Sequence, residues 1–232
     1  MKSPAPFEMP AYVIDRVMKK RGRIRVFERF EPSETALVVI DMQEFYVRDV
    51  PEAIAIIPNI NRLAAAMRAR GGAVAWVKMV AGKDGESLWP IYHDYFFTAE
   101  NGARHRDNLT EGAPGQALRA DLDAQPEDIY ASKSRFSAFV PGKSDLMEKL
   151  GERGIRNVVI VGMLTNFCCE TSARDAMMLD YRVAMVSDAN AARYAEDHNI
   201  GFSTVFQSFG DVVTVEELLG EMLVAAAPDK AG

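Results

Sequence analysis

Residues 36–40 read Ala-Leu-Val-Val-Ile and stop at Asp41. The run is short, apolar at every position and rich in β-branched side chains. A strand of that kind is buried on both faces, as in a parallel sheet covered by helices. Three more runs share the character: Ala73 to Met79 (AVAWVKM), Asn157 to Val161 (NVVIV) and Arg182 to Val186 (RVAMV). Shorter strands are expected at Asp128 to Ala131 and at Asp211 to Val215. Helical patterns lie between them. Pro58 suits a first helical turn, Ile60, Leu63, Ala64 and Met67 follow at helical spacing, and Gly71 closes the segment. Ser144 to Arg153, Asn166 to Leu179, Asp197 to Phe209 and Val215 to Ala225 supply further helices. The alternation predicts an α/β fold: a doubly wound, mainly parallel sheet with helices on both faces.

The chain has 232 residues, 48% hydrophobic and 26% charged, the balance of a globular protein with one core. Its net charge of −6 argues against a nucleic-acid groove. No apolar run approaches the roughly 18 residues of a membrane span, and residues 1–10 lack a signal-peptide layout. Cys168 and Cys169 are the only cysteines; as neighbours they are poor disulfide partners, which fits a reducing cytoplasm. Three regions are expected to behave differently. Residues 1–35 form an N-terminal arm whose basic stretch (Lys19, Lys20, Arg21, Arg23, Arg25) reads as a solvated face or a clasp on another subunit, in preference to an anionic ligand site. Residues 36–225 form the domain, and within it about 80–127 lack a sustained period and read as a lid or pocket wall. The tail after Val224 is expected to fray.

In an open parallel sheet, ligands bind beyond the carboxyl ends of the strands. Asp41, Lys133 and Cys168 all fall there, the cysteine at the start of a predicted helix. A helix N-terminus and a nearby ammonium favour a thiolate, and a carboxylate can take the thiol proton and return it to a leaving group. Singly, each has a plainer reading: Asp41 as a cap or ion-pair partner, Lys133 as a solvated side chain, Cys168 as core filler. Their coincidence on one rim favours chemistry. Nucleotide-binding glycine loops, a Gly-x-Ser-x-Gly elbow, His-Glu-x-x-His and Cys-x-x-Cys are all missing from the sequence.

Residues 36–46 (ALVVIDMQEFY), 132–139 (SKSRFSAF) and 162–176 (GMLTNFCCETSARDA) resemble, in order and spacing, the three signature segments of the isochorismatase-like cysteine hydrolases. The resemblance runs from about residue 34 to 215 and implies a Rossmann-like fold. It makes Asp41 the general base, Lys133 its charge partner and Cys168 the nucleophile. It also implies an oxyanion hole from the backbone N–H groups of Leu164 and Cys168, with a cis peptide at Met163–Leu164 or Leu164–Thr165. The register Gly-x-x-Thr-x-x-Cys from Gly162 selects Cys168 over Cys169, which falls in a small apolar core position.

The third segment is most similar to ureidoacrylate and N-carbamoyl amidohydrolases. The implied reaction is metal-independent cleavage of a C–N bond in a small amide or ureido compound through a thioester. Relatives that hold a metal use an Asp and two His; His93, His105 and His198 are scattered along this chain, so no metal or other cofactor is expected. His93 is expected on a pocket wall or the surface. Trp89, Tyr92, Phe96, Phe136 and Phe139 are candidate apolar walls, and Asn166 either faces the substrate amide or caps the helix. Arg135 either clamps a substrate carboxylate or pairs with a surface acid. Two alternatives stay open: a vinyl ether hydrolase of the isochorismatase type, and a non-catalytic ligand-binding scaffold. The resemblance also implies a homodimer or homotetramer. The arm, carrying Tyr12, Val13, Val17, Phe27 and Phe30, is expected to cross to a neighbour, the plainer alternative being that part of it folds back on its own domain.

Overall fold

β1 (Thr35–Ile40) runs through the middle of a six-stranded sheet in a computed structural model that describes residues 7–82 and 87–224. The tail after Val224 lies outside the described residues, as do residues 1–6 and 83–86. The other strands are β2 (Ala73–Met79), β3 (Ile129–Lys133), β4 (Asn157–Met163), β5 (Arg182–Ala191) and β6 (Asp211–Val213). Their spatial order is β3-β2-β1-β4-β5-β6, with every neighbouring pair parallel. The helices are, in chain order, α1 (Ala11–Arg21), α2 (Glu44–Val47), α3 (Pro51–Ala55), α4 (Ile57–Ala69) and α5 (Pro90–Tyr95). They continue as α6 (Ala99–Leu109), α7 (Leu146–Glu152), α8 (Glu170–Met178), α9 (Ala195–Ser208) and α10 (Val215–Glu217).

Alternation along a strand divides the core. Leu37 and Val39 of β1 pack on one face with Ile60, Leu63 and Met67 of α4 and with Val215 and Leu218. Ala36, Val38 and Ile40 pack on the other with Leu146 and Leu150 of α7, Ala173 and Ala176 of α8, and Phe202 and Val205 of α9. Every residue of β1 and β4 is buried, which is why their sequences are apolar without interruption. Successive strands step outward from β1 to β3, then resume on its other side at β4. The crevice at that reversal is where a ligand is expected in such a sheet.

Three elements differ from the sequence expectation. The segment expected as one helix from Asn166 begins with a π-helical turn, Thr165–Cys169, before α8. The last helix likewise splits into α10 and a π-helical turn, Leu218–Met222.

The arm is the third, and a correction. It clasps its own domain: Val13 and Val17 of α1 are buried against Phe206 of α9, and Phe30 is buried in the main core. Lys20 donates to Gln207 O at 3.3 Å and Ser208 Oγ at 3.0 Å, and Arg21 to Phe206 O at 3.1 Å. These cations sit where α9 leaves carbonyls without helical partners. The backbone N–H groups of Val26 and Phe27 donate to the Asp211 carboxylate at 2.7 and 2.8 Å. With these groups engaged at home, Tyr12, Met18 and Ile24 are the large apolar side chains that the described part of the arm leaves exposed.

Candidate active site

Asp41 leaves β1 in the left-handed region, φ 56°, a conformation that Asp tolerates better than most residues. Its N–H donates to Val77 O at 2.9 Å, so the turn stays tied to β2. The buried Gln43 amide spans the same rim, accepting from Met79 N–H at 2.7 Å and donating to Met79 O at 3.0 Å and Gln116 O at 3.1 Å. Across the crevice Gly162 has φ 112°, and a Cβ there would stand 2.2 Å from Ile40 O. Only glycine lets β4 pass β1 so closely.

Lys133, the last residue of β3, reaches into this corner. Its Nζ lies 2.8 Å from Asp41 Oδ2, 3.3 Å from Cys168 Sγ and 3.1 Å from Arg135 O. One ammonium therefore bridges the carboxylate and the thiol, with Asp41 and Lys133 both almost wholly buried. Burial pushes the Asp41 carboxyl above its ordinary range, against the pull of Lys133. For Lys133 burial acts downward, but Asp41 and Cys168 together carry the ammonium above its usual value. Burial and then the Asp41 charge push the Cys168 thiol up. At rest Lys133 keeps its charge and the thiol keeps its proton. Asp41 Oδ1 is buried and, among the described residues, has no hydrogen-bond partner.

The π-helical turn presents the thiol. The carbonyl of Leu164 accepts from Phe167 N–H at 3.1 Å and Cys169 N–H at 3.2 Å, and the Met163–Leu164 peptide is cis. Ser172 Oγ donates to Cys168 O at 2.6 Å and accepts from Ala138 N–H at 2.9 Å, joining the turn to the segment after β3. Thr165 Oγ1 lies 2.8 Å from His198 Nδ1. Cys169, fully buried, faces the core beneath α8, whereas Cys168 is half-buried and faces a cavity.

That cavity is about 340 Å³. Asp41, Cys168, Met163 and Leu164 form its base, and Phe45, Tyr46, Tyr92, Phe97, Phe136 and Phe167 its aromatic walls. Asp49, Asn101, Arg104, His105 and Arg193 complete the lining. Of the expected substrate contacts, Tyr92 and Phe136 are there. Trp89 stands behind them, ring centroids 4.5 and 5.0 Å away. Arg135 is engaged elsewhere: its guanidinium lies 4.9 Å over the Trp89 ring and donates to Ser134 O at 2.7 Å and Leu88 O at 3.3 Å. It pins the segment before α5. Asn166 has its backbone against Gly201 of α9 and is not among the cavity residues. Phe96 is exposed and Phe139 is in the core.

Sequence reasoning missed Asp49, Asn101, Arg104, His105 and Arg193, and passed over Tyr46 although it closes the first quoted segment. The scatter of the histidines was also misleading. His93 is buried behind the wall, neither lining the cavity nor on the surface, and its Nε2 lies 3.0 Å from His105 Nδ1. Among the described residues, no group of three or more His, Cys, Asp or Glu is arranged to hold a metal ion.

Fold and site together define a doubly wound α/β protein with its pocket at the switch point and a thiol, a carboxylate and an ammonium at the base. The isochorismatase domain model matches residues 35–217. The ureidoacrylate amidohydrolase RutB of Agrobacterium fabrum is 33% identical over 221 residues, covering 84% of this chain and 93% of its own. RutB of Rhizobium rhizogenes is 34% identical over 223 residues, covering 84% and 86%. Among solved structures, a cysteine hydrolase from Pseudomonas syringae pv. phaseolicola superposes with TM-score 0.75 at 27% identity, over 85% of this chain and 95% of its own. The N-carbamoylsarcosine amidase of Thermoplasma acidophilum shares the fold, with TM-score 0.64 at 24% identity, over 79% of this chain and 98% of its own. The chain belongs to the isochorismatase family, and it is a hydrolase.

Proposed function

We propose that this protein hydrolyses a C–N bond in a small ureido or amide acid, with Cys168 as nucleophile and without a metal ion. The observation that carries the reading is the ammonium of Lys133 held between Asp41 Oδ2 and Cys168 Sγ, at 2.8 and 3.3 Å. The neutral thiol gives its proton to Asp41 as sulfur attacks the carbonyl carbon. Proton loss is coupled to bond formation, because the burial that raises the thiol disfavours a free thiolate. Negative charge moves to the carbonyl oxygen, received by the backbone N–H groups of Leu164 and Cys168; losing one such donor costs about 3 kcal/mol. Asp41 then returns the proton to the nitrogen, the C–N bond breaks, and an acyl or carbamoyl thioester remains. Water gives a proton to Asp41 and attacks the thioester, and the departing sulfur recovers that proton. Lys133 stays charged throughout and holds Asp41 in place.

Three features support the substrate class. The cavity is small, its walls are aromatic, and Arg104 and Arg193 line it together with Asp49, 3.1 Å from Arg104. Asp41 is paired with Lys133, so one positive charge is left in excess for a substrate carboxylate. The relatives named for ureidoacrylate point the same way. The two unpaired cysteines fit a reducing cytoplasm, and a homodimer or homotetramer accords with the family. The test is ammonia release from a panel of ureido and amide acids by the wild type, Cys168→Ser and Cys169→Ser. The wild type and Cys169→Ser release ammonia, and Cys168→Ser does not. Equal loss in both variants, or no release by the wild type, overturns the reading.

A further inference from the structure

Behind the cavity wall, four groups form one hydrogen-bonded line. His93 Nδ1 lies 3.0 Å from Trp89 O, His93 Nε2 3.0 Å from His105 Nδ1, and His105 Nε2 3.0 Å from Tyr46 OH. The end of the line fixes every proton in it. A backbone carbonyl only accepts, so His93 Nδ1 carries a hydrogen and, in the neutral ring, Nε2 is a bare acceptor. His105 Nδ1 must then donate, which leaves His105 Nε2 bare. Tyr46 must therefore donate its hydroxyl proton to His105. Both rings are neutral near pH 7: burial, then His93 and Arg106, press His105 down to about 4, and burial lowers His93 as well. Burial also keeps the Tyr46 phenol from ionising.

With its proton committed, Tyr46 has only lone pairs to offer. Tyr46 and His105 both line the cavity that holds Asp41 and Cys168, on a wall shared with the aromatic rings of Phe45, Tyr92, Phe97, Phe136 and Phe167. An N–H enclosed by such a wall is poorly solvated and needs an acceptor. We propose that the Tyr46 oxygen, polarised by the His93–His105 line, accepts a hydrogen bond from the N–H of the scissile nitrogen and so selects amides and ureides over isosteric esters. Held by that bond, the nitrogen keeps its lone pair free for the proton that Asp41 returns. Tyr46 is the specificity-determining contact; His105 and His93 are positioning residues. The inference rests on the C–N hydrolysis proposed above.

The test uses the full chain and two matched pairs: N-methylsuccinamic acid with monomethyl succinate, and N-carbamoylglycine with O-carbamoylglycolic acid. In each pair the leaving N–H is replaced by oxygen. For whichever pairs the wild type turns over, kcat and KM are measured for the wild type, Tyr46→Phe and His105→Leu. Tyr46→Phe is expected to lower kcat/KM on the nitrogen substrate at least tenfold more than on its oxygen counterpart. His105→Leu frees the tyrosine proton and is expected to shift the same ratio in the same direction. Should His105→Leu fail to fold, Tyr46→Phe, which removes one oxygen atom, decides alone. Equal losses within a pair, or none, overturn the contact while leaving the proposed reaction standing. A wild type inactive on every ureido and amide acid removes the reaction and this contact together.

Discussion

Asp41 sits under two opposing influences, and their balance has kinetic consequences. Burial raises its pKa and Lys133 lowers it, with burial prevailing. A base must be ionised to accept the thiol proton, so activity falls as pH drops through the Asp41 pKa. The acid limb of kcat/KM is expected above the ordinary 3.8 of an aspartate. Lys133→Met removes the influence that lowers the pKa, so the limb should move to higher pH while the plateau drops by about a hundredfold or more. Rate–pH profiles of the two proteins check this; a limb unchanged in the variant would contradict the pairing. Asp41, Lys133 and Cys168 were legible because each follows a strand end in a recognisable segment. The tyrosine–histidine line was not, because His93 and His105 are 12 residues apart in sequence and meet only when α5 and α6 fold together.

At the level of elements, the central strands announced themselves because all their residues are buried and each is apolar in consequence. The π-helical turn gave no such sign. Its side chains continue the helical pattern of α8, and what sets it apart is long-range: α9 packs so closely on the turn that a Cβ on Gly201 would stand 3.2 Å from Asn166 Cα. α1 was obscured for another reason, since only Val13 and Val17 of its 11 residues are buried. The clasp predicts that Val17→Ala costs about 1–3 kcal/mol of stability, from lost burial and the space left beside Phe206. The loss should not depend on protein concentration, because both sides of the contact belong to one chain. Urea unfolding at two concentrations measures it, and a stability change that scales with concentration would mean the arm packs on a neighbour instead.

Across the whole molecule two imidazoles, the buried His105 and the half-buried His198, are each pressed down to about 4, mainly by burial. In the unfolded chain they titrate near 6.5. Their neutral burial contributes stability above pH 6.5, and that contribution is lost as pH falls from 6.5 toward 4, where the unfolded state binds the protons first. Asp41 and Asp211 are raised by burial and act in the opposite sense, so the histidine share is best read by difference. His198→Gln should unfold with a shallower pH dependence than the wild type between pH 6 and 5. The two slopes should differ by up to about 1.4 kcal/mol per pH unit, one proton's worth. Parallel slopes would mean that His198 is already charged in the folded protein.

All of this turns on whether Cys168 becomes acylated during turnover. Intact-mass spectrometry of the full chain, quenched in acid seconds after mixing with a turned-over ureido or amide acid, tests that most directly. The account predicts a species heavier by the acyl or carbamoyl group, located on Cys168, absent from Cys168→Ser and retained in Cys169→Ser. Turnover with no adduct under any quench, or an adduct on Cys169, would contradict it.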